Sequence, residues 1–367
     1  MVIAFFLDSF VQVIKFSFQG FKKMVYFSGI DLVRMILLSI IILIGLKLNH
    51  GILSPVIAYI IVPIILIIIF GSLLVKRVFK KFFESKFVFE KKLIKNISRY
   101  SIFVMATTGG GTILWYTDTL VLTYFAGLTS VALYSVALPT AKVFLYFPRA
   151  IGGMLLPLTS EFWVQNKKFL IKDGLQLLYK YSVIIIVPLV FAVFSFSEFL
   201  IQILFGSSYI EAANALKILS IGMIFATLNV TSINFFSGIG KPEINSKIIY
   251  TAAIFNLITN LILIPIYGII GAAITTTISY FIMMVMGLIN TRKFINVKFP
   301  ILLWTKTLIA GLIFVFVIFL MKKILVFNLF LEAVVILILS GIAYILLLFL
   351  FKIINIDEIK DLYKKVK

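Results

Sequence analysis

Lys142 and Arg149 stand seven residues apart in one apolar stretch, two helical turns on one face. An ionisable group deep in a bilayer costs about 2.5–3.5 kcal/mol on insertion scales, so it is usually retained for a use. A cationic stripe facing a water-filled cavity can hold an anion, with the arginine giving a bidentate contact. The competing reading is that Arg149 snorkels to the nearer membrane surface. Asp118 is either a counter-ion for Lys142 or an interfacial acid near the outer end of its helix. Asn256 and Asn260 are four apart and share a face, where their amides can hydrogen-bond between helices and fix packing. Gly109, Gly110 and Gly111 read as a flexible point or a close helix contact. They are not a phosphate loop, since no Lys-Ser/Thr follows. No HExxH, GxSxG or comparable catalytic set occurs, so no enzymatic activity is expected.

The elements that must position these side chains follow from composition. Hydrophobic residues make up 62% of the 367 and charged residues 13%, too little polar surface for a soluble domain. The absence of Cys excludes disulfides and thiolate metal sites, and one His, His50, leaves no histidine cluster. Neither a metal nor a cofactor is expected. The formal net charge of +20 lies in short basic blocks between apolar runs, which is the pattern of membrane-protein loops and not of a nucleic-acid partner. Asp8 and Lys15 interrupt the first apolar stretch, so it does not read as a cleavable signal peptide.

Apolar runs of about twenty residues, the length that crosses a hydrocarbon core, predict an all-α polytopic bundle of about eleven transmembrane helices. The expected spans are 2–20, 30–48, 53–75, 100–124, 130–155, 181–204, 212–238, 246–265, 269–290, 302–321 and 329–352. The first is the weakest. Pro63, Pro139, Pro148 and Pro188 fall inside spans, where neighbouring helices must satisfy the freed carbonyls. Of the 34 Lys and Arg, 26 fall in the loops of one side and three (Lys47, Lys322, Lys323) on the other. The positive-inside rule therefore predicts a multi-pass protein of the cytoplasmic membrane with its C-terminus in the cytoplasm. On that frame Lys142 falls near mid-depth and Arg149 nearer the cytoplasm. The largest loop, Lys76–Arg99, interleaves Phe79, Phe82, Phe83, Phe87 and Phe89 with lysines. It reads as a linker resting on membrane lipids.

From about Ser98 onward the sequence resembles the flippase branch of the superfamily of multidrug/toxin exporters, lipid II flippases and polysaccharide exporters (MOP, MATE-like). Four phrases carry the resemblance, in order and at span boundaries: WYTDTLVLTYFAGLTSVALY at Trp115–Tyr134, LFGSSYIEAA at Leu204–Ala213, GIGKP at Gly238–Pro242, and NLITNLILIPIYGIIGAA at Asn256–Ala273. The resemblance implies a two-lobe architecture. Residues 1–75 would form a partial first lobe of three spans and 76–99 a basic cytoplasmic linker. Residues 100–290 would form the six-helix second lobe, and 291–367 an added two-helix hairpin and tail. Spans one to three of the family have no counterpart, so the first lobe is expected to be incomplete, as a truncated frame, a late start or a fragment would make it.

The same resemblance implies a flippase that moves a lipid-linked oligosaccharide or polysaccharide precursor, of the pyrophosphate-polyprenol type, by alternating access. Lys142 and Arg149 would hold its phosphate or pyrophosphate, and Asp118 matches the acidic position of the family's seventh span, as counter-ion or coupling-ion ligand. The alternatives are a cation-coupled multidrug exporter of the same fold and a non-functional truncated flippase. A membrane glycan polymerase or ligase is disfavoured, because it needs carboxylates or arginines in a sizeable outer loop.

Overall fold

The computed structural model describes residues 2–80, 84, 89–324 and 329–354. Ten helices follow in order: α1 (Val2–Gly20), α2 (Met24–Lys47), α3 (Leu53–Arg77), α4 (Lys91–Lys142), α5 (Tyr146–Val164), α6 (Lys168–Phe205), α7 (Ala212–Gly238), α8 (Pro242–Phe294), α9 (Ile301–Ile324) and α10 (Leu329–Leu350). Short 3₁₀ turns at Val143–Leu145 and Ser207–Tyr209 join neighbours. Among the described residues, eight continuous helical stretches are long and apolar enough to cross a membrane. Two of these are double. A straight helix of 53 residues would run about 80 Å, far beyond a bilayer. Instead α8 folds back at Gly268 (φ 53°), and α4 folds back at Gly127 (φ 78°). A positive φ is accessible to glycine without steric penalty, so both reversals sit on that residue. With α1, a helix of 19 residues, the described chain has eleven segments of membrane length, in agreement with the hydropathy reading.

The boundaries differ at the polar ends. α4 begins at Lys91 and α6 at Lys168, well before the apolar runs that open near 100 and 181. Hydropathy marks where the bilayer is, whereas helical hydrogen bonding continues through any sequence without a breaker. The expected loop Lys76–Arg99 thus has helix at both of its ends, to Arg77 and from Lys91. Within it Phe79 packs edge-on against Phe21 at 4.9 Å and Phe89 is exposed. Phe82, Phe83 and Phe87 lie outside the described residues.

The helices form two compact units, Met1–Asn96 with Gly153–Glu161, and Ile97–Gly152 with Phe162–Lys367. The first packs α1, α2 and α3 around Val11, Phe18, Ile30, Val62, Leu66 and Phe70. Its α1–α2 hairpin carries complementary charges in register: Arg34 pairs with Asp8, and Lys15 reaches Asp31 at 2.6 Å. An unpaired charge at that depth would be expensive, so the pairs fix which faces meet. In the second unit α7 is the central helix, packed against α6 and α8. Gly222 on α7 lies against Thr277, and Gly287 on α8 against Ser232, so close that an added Cβ would fall within 3.0 Å of a side-chain oxygen. Small residues at such crossings let helix backbones approach where lipid supplies no hydrophobic drive.

Two of the interior prolines show how freed carbonyls are satisfied. Pro188 cannot donate to Ile184, and the Tyr344 hydroxyl of α10 donates to that carbonyl instead, at 2.9 Å. Pro157 likewise leaves Gly153, whose carbonyl accepts from Gln19 Nε2 at 2.9 Å. A second defect of α6, the non-helical Phe196 (φ −116°, ψ 20°), is met by Lys322 of α9, which donates to the Ser195 carbonyl at 2.6 Å. The α9–α10 hairpin therefore packs on α6 at the places where its own ladder is broken.

Candidate functional site

Lys142 and Arg149 line one cleft of about 640 Å³ in the second unit. The chain reaches it through the 3₁₀ turn Val143–Leu145, which links α4 to α5 and keeps both cations on the same side. Lys142 is half-buried and Arg149 exposed. Aromatic rings of Trp115, Tyr116, Tyr134 and Tyr146 and hydroxyl residues Thr119, Ser135 and Thr140 share the wall. Pro139, also on the wall, withholds the N–H that would pair with the Ser135 carbonyl. The Lys142 ammonium sits 3.5 Å from the centre of the Trp115 ring, well inside cation–π range. Among the described residues no carboxylate is ion-paired with Lys142 or Arg149, and no Asp or Glu lines the cleft.

Asp118 is elsewhere. It does not line the cleft, makes no direct ion pair with Lys142 although its charge acts on that ammonium, and is only 1% exposed. Its carboxylate accepts from the Tyr134 hydroxyl at 2.6 Å, from Thr276 Oγ1 at 2.6 Å and from Asn260 Nδ2 at 2.6 Å. Asn260 also donates to Asn256 Oδ1 at 3.0 Å and accepts from Thr275 Oγ1. Asn256 and Asn260 are both fully buried. The network ties both limbs of α4 to both limbs of α8. Three donors on one carboxylate offset part of its desolvation, and charge-assisted bonds are about twice as strong as neutral ones. Tyr134 belongs to both places: its hydroxyl holds Asp118 and its residue forms part of the cleft wall.

Reading the sequence by residue type missed Trp115, Tyr134, Thr275 and Thr276 as site residues. The signal for three of them lay in the hairpin turns. Asn260 and Thr276 stand equally far on either side of Gly268, and Asp118 and Tyr134 nearly so about Gly127. Residues so placed on antiparallel limbs come opposite one another. The Asp8–Arg34 and Lys15–Asp31 pairs of the first unit join neighbouring helices, which the apolar runs taken one by one do not reveal.

A family model described as polysaccharide biosynthesis protein matches residues 1–163, and a second, MatE, matches 112–262, a range that includes Asp118, Lys142, Arg149, Asn256 and Asn260. Membrane protein MJ1068 of Methanocaldococcus jannaschii is 39% identical over 99% of this chain and 72% of its own length. The probable low-salt glycan biosynthesis flippase Agl15 of Haloferax volcanii is 26% identical over 56% of this chain and 43% of its own. Among solved structures, the lipid II flippase MurJ in an inward closed conformation superposes with a TM-score of 0.65 at 20% identity. The match covers 89% of this chain and 68% of that one. The MATE transporter VcmN of Vibrio cholerae gives 0.64 at 15% identity, covering 77% and 65%. At these identities the structures establish the shared fold, that of flippases and MATE exporters. With the sequence relatives they show that the chain belongs to the polysaccharide biosynthesis protein family of the multidrug/oligosaccharidyl-lipid/polysaccharide exporter superfamily.

Proposed function

We propose that this protein is a flippase that moves a lipid-linked oligosaccharide or polysaccharide precursor across the cytoplasmic membrane by alternating access. One observation carries the reading: two cations, neither in a direct ion pair with a carboxylate among the described residues, share a cleft lined by aromatic and hydroxyl groups. Such cations call for an anion, and a lipid phosphate or pyrophosphate next to a sugar supplies one with the right neighbours. A cleft of about 640 Å³ suits a headgroup and its first sugar; the polyprenyl chain and the remaining glycan would lie outside it. The name of Agl15, a glycan biosynthesis flippase, supports the same substrate class.

In this reading Lys142 and Arg149 bind the anion, Asp118 with Asn256 and Asn260 forms the ion-coupling node, and Tyr134 connects the two. The proposed lobes are those expected from the sequence, residues 1–75 and 100–290 joined by the basic stretch 76–99, with 291–367 as an added hairpin and tail. The alternative, a cation-coupled drug exporter, is disfavoured by the cleft lining. A site for cationic drugs needs an acid on its wall, and no Asp or Glu lines this one among the described residues.

Reconstituted vesicles loaded with a lipid-linked glycan test the proposal, with flipping scored against protein level. Lys142→Ala should lower the rate roughly 10–100-fold, the loss of a hydrogen bond to a charged partner worth about 1.5–3 kcal/mol. Lys142→Arg should keep part of the rate, since charge survives while shape changes. Wild-type flipping by Lys142→Ala would remove the cleft from the transport pathway.

A further inference from the structure

The Lys142 ammonium rests on the Trp115 indole at 3.5 Å from the ring centre. An aromatic face carries the negative part of the ring quadrupole, and this attracts a cation. The same face attracts the electropositive C–H face of a pyranose. One ring cannot serve both at once. We propose that Trp115 is an exchange residue. In the empty cleft it holds the Lys142 ammonium. When the anion of a phosphorylated glycolipid draws that ammonium away, the exposed indole face receives the sugar next to the phosphate. This rests on the reading of Lys142 as an anion ligand and adds a specificity device to it.

The geometry supports the exchange in three ways. Trp115 and Lys142 line the same cleft, so an anion that reaches the ammonium is beside the ring. Trp115 is 46% exposed, so its face is not closed off by packing once the ammonium leaves. The neighbouring Tyr116 and Thr119 supply hydroxyls for sugar oxygens around that face. The consequence is linked recognition. A bare anion must displace the cation–π contact and receives nothing from the ring in return. A glycosylated anion regains the lost contact through its sugar. The cleft thereby discriminates against phospholipid phosphates, which present the same anion without the sugar.

The experiment compares geranyl pyrophosphate with a farnesyl-pyrophosphoryl monosaccharide on the detergent-solubilised full chain, by equilibrium dialysis and by tryptophan emission. An adjacent ammonium quenches indole, so both ligands should change wild-type emission saturably, and the change should be absent in Trp115→Phe. Trp115→Leu should bind geranyl pyrophosphate as well as wild type or up to about tenfold tighter, because the competing ring is gone. It should bind the glycosylated ligand about tenfold weaker. Trp115→Phe, which keeps a smaller ring, should fall between. Parallel weakening for both ligands in both variants would mean a structural role only and overturn the exchange. Binding to wild type without a change in Trp115 emission would also overturn it. If neither ligand binds wild type, or Lys142→Ala binds both unchanged, the anion reading falls first and the exchange with it.

Discussion

At the scale of single residues, the buried carboxylate and the cleft cations differ in what they ask of their surroundings. Asp118 has three hydrogen-bond donors and no ion-pair partner among the described residues. The cleft cations have a ring and open space. Removing Asp118 therefore strands donors, whereas removing Lys142 strands nothing. Asp118→Ala should destabilise by about 1–3 kcal/mol, the cost of leaving buried polar groups unsatisfied. Tyr134→Phe, which deletes one donor and leaves two, should cost about 0.5–1.5 kcal/mol. Lys142→Ala should be neutral or slightly stabilising, since the burial cost of the charge is gone. Thermal unfolding in detergent orders the three variants. If Lys142→Ala proved the most damaging of them, the ammonium would have a structural role that its contacts do not show. A transport assay at varied Na⁺ and proton gradients separates the coupling role of Asp118 from its packing: Asp118→Asn keeps the shape, and its transport should be both slower and less dependent on the gradient.

At the scale of elements, the helices were legible from hydropathy and the chemistry between them only in part. Lys142 and Arg149 on one face followed from the helical repeat, and the 3₁₀ turn between them left that relation intact. The Asn256–Asn260 pair was legible for the same reason, because i and i+4 are set by local geometry. Tyr134 and Thr276 were not, since their meeting with Asp118 depends on which residues face across hairpins and between α4 and α8, and residue type alone does not fix that register. The prolines show the same limit. A freed carbonyl at Ile184 is predictable from Pro188, but its donor, Tyr344, lies 160 residues away. Tyr344→Phe tests the value of that bond directly, because it removes the hydroxyl and keeps the ring. It should cost about 0.6 kcal/mol, the average measured for hydrogen bonds between membrane helices, and no more than about 1.7. It should also speed amide exchange around Ile184–Pro188 relative to the rest of α6. A variant with wild-type stability and exchange would mean that another donor replaces the hydroxyl.

At the scale of the whole molecule, eleven described segments and a one-sided distribution of basic residues constrain the insertion. Each lysine or arginine moved across a bilayer is strongly disfavoured, so loops rich in them remain on the side of synthesis. The blocks at Lys22–Lys23, Lys76–Arg77, Lys91–Arg99, Lys167–Lys172, Lys241–Lys247 and Arg292–Lys298 lie in the end turns of helices or in the short connections beside them. The Gly127, Gly206 and Gly268 turns that separate them on the other side carry no Lys or Arg of their own. If all eleven segments cross, Val2 and Lys367 stand on opposite faces. A reporter fused after Lys367 should read cytoplasmic, and one inserted in the Tyr267–Gly268 turn should read external. The two positions are separated by three segments, the second limb of α8, α9 and α10. The comparison therefore depends only on that stretch and not on the weaker α1. A third fusion near Val2 reports on α1 itself: external if α1 crosses, cytoplasmic if it lies along the surface with Asp8 and Lys15 in the headgroups. If the Lys367 and Gly268 fusions reported one compartment, one of the last three segments would not cross.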